Sequence, residues 1–360
     1  MERMMHEVFV MLVALSCLFD CGIMATEEIK SYPRDLPCPA ADDITPCLCT
    51  VLTNGRMEMD CSYVTSNDQL ASIFNDAVIS MKNFEYFIMD GNNYLNSIRA
   101  GDLGVDITFE KIIITSGTLD TVESEAFMYS YDTLMHLEIR YTYLYSFPFS
   151  EIARFNQLAV LDLDNNQLFG FPVLGSVTLK YLDLHHNPLG GISPTSLANL
   201  PSLEEIFLYE TGITHISPGT FTGLPRLYYI HLAGNGLQVL ETGTIYLQTS
   251  SNSIFLYDNQ LTEIEEGALM GLHGILDVSY NLLTDLLEPV FKPLIENNVY
   301  FNAAENPLIC GCEIEWLCVN PTYTSHLMDA ASCPGGELVA NLEDSVFISC
   351  HKVVNPGFAA

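Results

Sequence analysis

From residue 84 onward the apolar positions recur in one register. The stretches LAVLDLDNNQL from Leu158, LKYLDLHHNPL from Leu179, LYYIHLAGNGL from Leu227 and SNSIFLYDNQL from Ser251 share apolar residues at positions four, six and eleven and asparagine at position nine. The ninth position falls at Asn92, Gly117, Thr142, Asn166, Asn187, Thr211, Asn235, Asn259, Asn281 and Asn306, with intervals of 21 to 25 residues. An alternation of period two at positions four to six is the signature of a strand whose apolar residues point one way and whose intervening residues point the other.

This pattern is identified as a leucine-rich repeat. After each strand the asparagine slot marks where the chain turns away, and an amide that both donates and accepts can satisfy backbone groups of its own coil and the neighbouring one. Gly117 cannot do this, and Thr142 and Thr211 only in part, so looser turns are expected at those three places. A second apolar signal follows each slot, as in ITHISPGTFTGL (Ile213 to Leu224), IEEGALMGL ending at Leu272, and the segments ending at Phe127 and Phe291. One coil cannot hide its own apolar side, so coils must stack. The expected fold is α/β, a curved leucine-rich-repeat solenoid of about ten repeats with a parallel concave sheet.

The cysteines sit only at the ends of this array: Cys38, Cys47, Cys49 and Cys61 in front, Cys310, Cys312, Cys318, Cys333 and Cys350 behind. A stacked array leaves an apolar disc at each end, and disulfide modules are the expected lids. Four cysteines allow three pairings, and spacing alone does not choose among them. Zinc is disfavoured because no balanced pair of C-x2-C halves is present. Cys318 is the odd thiol, either a buried free cysteine or a link to another chain. Ser66 and Gln69 have capping-box spacing for a helix, and Trp316 is placed to plug the rear of the core.

An oxidising compartment is also implied by the start of the chain, where residues 8–19 form a mostly apolar stretch after Arg3 and before small residues, with a cleavage site expected near Ala25. This stretch is shorter than the roughly 20 residues a membrane span needs, so no membrane insertion is expected. The resulting organisation is a signal peptide at 1–25, a front cap at 26–83, repeats at 84–309 and a rear cap at 310–360. With 45 acidic against 13 basic residues and a formal charge of −32, phosphate backbones are repelled, and nucleic acid is excluded as a partner.

The segments CPAADDITPCLCT, MEMDCSYVTSNDQLASIF, NPLICGCEIEWLCVN and ASCPGGELVANLEDSVFISC together resemble the leucine-rich-repeat, non-catalytic luciferase subunits of the shrimp Oplophorus and their crustacean relatives, over roughly residues 38–350. The resemblance implies a secreted accessory chain that associates with a small catalytic subunit and has no activity or cofactor of its own. It also implies the pairings Cys38–Cys49, Cys47–Cys61, Cys310–Cys333 and Cys312–Cys350, and leaves Cys318 outside the scheme.

No nucleophile elbow, H-E-x-x-H, P-loop or dinucleotide fingerprint occurs in the chain. His185-His186 beside Asp183 is the one arrangement that invites an acid–base or metal reading, and its outward positions predict a solvated surface pair instead. Binding is sought on the outward strand positions. Asp162, Asp164, Asp183 and His185 form an acidic stretch, followed by Phe207, Tyr209, His231, Phe255 and Tyr257, joined by Tyr181 and Tyr229 from the next column. Exposed aromatic rings supply rigid interface area, although such rings also pack on one another across strands. A protein partner on this concave face is the expectation, with the carboxylates steering its basic region. The alternative is a free-standing extracellular recognition, matrix or defence protein.

Overall fold

The computed structural model describes residues 38–328, 331–348 and 350. The expected signal segment 1–25, the first part of the front cap and the last ten residues lie outside the described residues. Thirteen strands follow one another in chain order across a single sheet. They are β1 (Leu48–Val51), β2 (Met57–Asp60), β3 (Asn83–Asp90), β4 (Thr108–Thr115), β5 (His136–Arg140), β6 (Val160–Asp162), β7 (Tyr181–Asp183), β8 (Glu205–Phe207), β9 (Tyr229–His231), β10 (Ser253–Phe255), β11 (Ile275–Asp277), β12 (Tyr300–Asn302) and β13 (Leu327–Met328). Only β1 and β2 pair antiparallel, and every later neighbour is parallel.

The register explains why leucine recurs. Leu161 lies opposite Leu182, Leu182 opposite Ile206 and Ile206 opposite Ile230, and each is fully buried. Each such side chain contributes about 2 kcal/mol by leaving water. The second apolar set closes the coil from the return side, where Phe221, Leu224, Leu272 and Phe291 are buried. Short parallel pairs, such as Val239–Leu240 with Glu263–Ile264, run along that side. Among the described residues no helix is long and apolar enough to cross a membrane.

The asparagine slots form a buried hydrogen-bonded column. Asn187 Nδ2 donates to the carbonyls of Leu163 (2.9 Å), Leu184 (3.1 Å) and His185 (3.2 Å), while its Oδ1 accepts from Leu168 N at 2.9 Å. Asn259, Asn281 and Asn306 repeat this arrangement. The expected looser turns are not found. Thr142 donates its hydroxyl to the next asparagine at 2.6 Å, and Thr211 donates its hydroxyl to the Leu208 carbonyl at 2.8 Å and its N–H to Asn235 Oδ1 at 3.0 Å. At Gly117 the coils approach so closely that a Cβ would lie 2.3 Å from the Asn92 carbonyl oxygen. Glycine stands there because no side chain fits.

The residue before each slot is left-handed, a feature the apolar pattern did not reveal. Ser116, Tyr141, Asn165, His186, Glu210, Asp258, Tyr280 and Glu305 all have φ between 51° and 56°. Asparagine, aspartate and histidine are enriched in this conformation, so the coil geometry imposes it on Ser116, Tyr141, Glu210, Tyr280 and Glu305.

At the front, Cys38 is bonded to Cys49 and Cys47 to Cys61; at the rear, Cys310 to Cys333 and Cys312 to Cys350. Helix α1 (Asn67–Asp76) starts at Ser66, whose hydroxyl accepts from Gln69 N at 3.1 Å. Gln69 Oε1 returns to Thr65 N at 2.8 Å, one residue before the cap. Trp316 packs against the rear of the core and donates Nε1 to the Leu286 carbonyl at 2.8 Å. Cys318 is a half-buried free thiol, 3.6 Å from the Val339 carbonyl oxygen. Burial pushes its pKa up from 9.0 to about 11, which lowers the reactive thiolate fraction about a hundredfold. The native chain is therefore expected to resist aromatic disulfide reagents and to run as a monomer on a non-reducing gel. A covalent dimer that collapses on reduction would overturn that expectation.

Candidate functional site

The register of β6 to β10 fixes what faces outward. Asp162 lies opposite Asp183, Asp183 opposite Phe207, Phe207 opposite His231 and His231 opposite Phe255, while Tyr181, Glu205, Tyr229 and Ser253 form the adjoining column. Asp164, His185, Tyr209 and Tyr257 follow two residues beyond the first of these columns. All eleven outward residues read from the sequence thus meet on one face.

The aromatic members pack on one another. Tyr181 meets Phe207 at 5.0 Å between ring centroids, Phe207 meets Tyr229 at 5.0 Å and Tyr229 meets Phe255 at 5.2 Å. Beside this ladder runs a second one: His185 stacks on Tyr209 at 4.0 Å and 17°, Tyr209 meets His231 at 4.7 Å, and His231 meets Tyr257 at 5.5 Å. Tyr181, Phe207, Tyr209, Tyr229, Phe255 and Tyr257 are all half-buried. The packing of such rings across strands, weighed in the sequence against free exposure, is present here, because neighbours on adjacent strands cover part of each ring. Burial, first of all, raises the pKa of the Tyr181, Tyr209 and Tyr229 phenols, so their hydroxyls stay protonated and act as donors.

The acidic residues depart further from what the sequence implied. Asp162, Asp164, Asp183 and His185 are only 7%, 2%, 4% and 7% exposed. His185 is therefore no part of a solvated pair, because Tyr209 covers its ring and Asp183 holds its edge. His186 does sit nearer the surface, with Nδ1 3.0 Å from Glu210 Oε2. His185 Nδ1 lies 2.6 Å from Asp183 Oδ1, and Asn165 Nδ2 lies 3.2 Å from His185 Nε2. A neutral ring protonated on Nδ1 satisfies both contacts, with Nε2 as the acceptor. Asp183 is fully engaged, since His185 N also donates to Oδ1 at 3.0 Å and the Tyr181 hydroxyl donates to Oδ2 at 3.1 Å.

Arg140 is the cation of this cluster, and it is shared. Its Nη2 lies 2.6 Å from Glu138 Oε1, while its Nη1 reaches Asp164 only at 3.6 Å and Asp162 at 3.9 Å. Burial pushes Asp162 up to about 9, with Asp183 and Asp164 adding to the effect. Burial opposes the charge on Arg140, but Glu138, Asp162 and Asp164 outweigh it and raise its pKa. Arg140 and Asn165 were not among the residues picked from the sequence. Arg140 occupies the same outward column as Asp164 and was legible there; nothing in the sequence marks Asn165, which is brought in by its left-handed backbone.

Comparison with known proteins identifies the repeat and the family. A model of the leucine rich repeat matches residues 177–237 and 225–283. The chain is 37% identical over 344 residues to the Oplophorus-luciferin 2-monooxygenase non-catalytic subunit of Oplophorus gracilirostris, covering 93% of this chain and 95% of that protein. Among solved structures, a chain of the octameric complex of latrophilin 3 (Lec, Olf), Unc5D (Ig, Ig2, TSP1) and FLRT2 (LRR) is similar with a TM-score of 0.61 and 19% identity, covering 87% of this chain and 100% of that one. At that identity the likeness shows the fold alone.

Proposed function

The chain belongs to the family of the Oplophorus-luciferin 2-monooxygenase non-catalytic subunit, and on that premise we propose that it is a secreted accessory chain that binds and stabilises a smaller catalytic subunit. The full-length match to a protein named as a non-catalytic subunit carries this reading. The two aromatic ladders supply the surface for it: a row of half-buried rings on a rigid sheet offers apolar contact at little cost in side-chain entropy. The acidic excess of the whole chain favours a partner with a basic face and speeds their encounter. Asp162, Asp164 and Asp183 lie too deep for long-range steering, so they act on whatever side chain covers the ladder directly.

Co-purification from the native secretion tests the proposal, since a stoichiometric small partner should accompany the chain. Tyr209→Ala with Tyr257→Ala should lower partner recovery at least tenfold while secretion of the chain stays unchanged. Recovery of the chain alone would favour a free-standing extracellular recognition protein, whereas undiminished recovery of partner with the double variant would place the contact away from the ladders.

A further inference from the structure

We propose that the groove between the coils after Asn259 and Asn281 docks a segment of a second protein that carries one large apolar side chain between basic residues. This surface lies off the concave sheet and does not depend on the reading of the ladders. The groove has a structural cause. Ahead of it the return side is built from short parallel pairs, such as Val239–Leu240 with Glu263–Ile264, and backbone hydrogen bonds tie one coil to the next: Thr262 N donates to the Gln238 carbonyl and Glu265 N to that of Leu240, both at 2.9 Å. In the following coil the chain instead enters helix α2 (Glu288–Glu296), which has Pro289 in its first turn and buries Val290, Phe291, Leu294 and Ile295. A helix is about 10 Å wide, whereas paired strands lie about 4.8 Å apart, so the two coils splay. Leu282 N still donates to the Leu261 carbonyl at 2.9 Å, and beyond it, among the described residues, no backbone hydrogen bond joins 262–264 to 284–287.

What is left between the coils is a cavity of about 350 Å3, floored by Ile264, Leu283, Val290 and Phe291 and flanked by Leu287, which is 43% exposed. That space and floor suit one leucine or phenylalanine side chain. The charge around it selects what carries that side chain. Glu263 and Asp285 line the same cavity, and Asp285 is met only by the neighbouring Thr284 hydroxyl at 2.8 Å. Between residues 241 and 318 the chain has twelve acidic residues and one basic one, Lys292, and Lys292 is held by Glu288 at 2.7 Å. A second copy of a chain with a formal charge of −32 is repelled. An uncharged apolar segment would press against Glu263 and Asp285 without compensating them. A segment with lysine or arginine on either side of its apolar residue seats the latter on the floor and brings the cations to both carboxylates.

The experiment uses the isolated full-length chain and the acetylated pentapeptide Lys-Lys-Phe-Lys-Lys as probe. Calorimetry at physiological ionic strength should show one peptide bound per chain, and Lys-Lys-Ala-Lys-Lys should bind at least tenfold more weakly because no ring leaves water. Thr262→Trp, which fills the groove from an exposed position, should abolish that preference for the phenylalanine peptide. Glu263→Gln with Asp285→Asn should weaken the phenylalanine peptide about tenfold, and both variants should keep the parent's circular dichroism spectrum. Tyr209→Ala with Tyr257→Ala should bind the peptide as the parent does, so this result and that of the ladders are read separately. Equal binding of the two peptides, a preference that survives Thr262→Trp, or benzylamine binding as tightly as the phenylalanine peptide, which would make the groove a small-molecule site, overturns the proposal.

Discussion

Asn235→Ala is expected to lose about 3 to 5 kcal/mol of stability. The buried amide, 8% exposed, donates to the carbonyls of Leu208 (2.8 Å), Leu232 (3.0 Å) and Ala233 (3.2 Å) and accepts from Thr211 N and Ile213 N, both at 3.0 Å. The three carbonyls keep other donors: the Thr211 hydroxyl, Asn259 Nδ2 and Glu210 N respectively. No other acceptor is left for the N–H groups of Thr211 and Ile213, which are 1% and 0% exposed. Each stranded buried donor costs about 1 to 3 kcal/mol, and the vacated side-chain volume adds to that. Thr211→Val removes one hydroxyl whose partners all keep other bonds, so about 1 kcal/mol is expected. Urea unfolding of the two variants measures the contrast, and a loss below 1 kcal/mol for Asn235→Ala would show that the column does not hold the coils together.

Gly271→Ala should cost more than 3 kcal/mol, whereas Gly212→Ala should cost only about 1. Both residues have φ +72°, so the backbone strain of adding a Cβ is common to the pair. Their surroundings differ. A Cβ at Gly271 would lie 1.9 Å from the Leu247 carbonyl oxygen, and one at Gly212 would meet nothing within 4 Å. Backbone must therefore move at Gly271, and the coil spacing set by the Ile245–Tyr246 pairing with Leu269–Met270 moves with it. Thermal unfolding of the two variants side by side separates steric overlap from strain. Equal costs would assign everything to backbone conformation.

The site was legible in the sequence as far as the period reached. Which residues share the outward columns follows from counting back from each asparagine, and that count brought Asp162, Asp183, Phe207 and His231 to one face. Their depth did not follow from it. Whether an outward side chain is wet depends on the size of its neighbours on adjacent strands, and rings from Tyr181, Tyr209 and Phe207 cover the acids beside them. The same cause turned His185 from an expected surface residue into a buried one stacked on Tyr209.

By itself the sequence determined the repeat, the inward leucines, the asparagine column and the cysteine-rich ends, because each of these is set by interactions that recur at a fixed distance along the chain. Only the tertiary structure decided how closely coils approach at Gly117 and Gly271, which residues take the left-handed turn, and how deeply the carboxylates around His185 are buried. Those properties arise between coils some two dozen residues apart, where side-chain volume and backbone spacing meet in three dimensions and leave no periodic trace in the residues themselves.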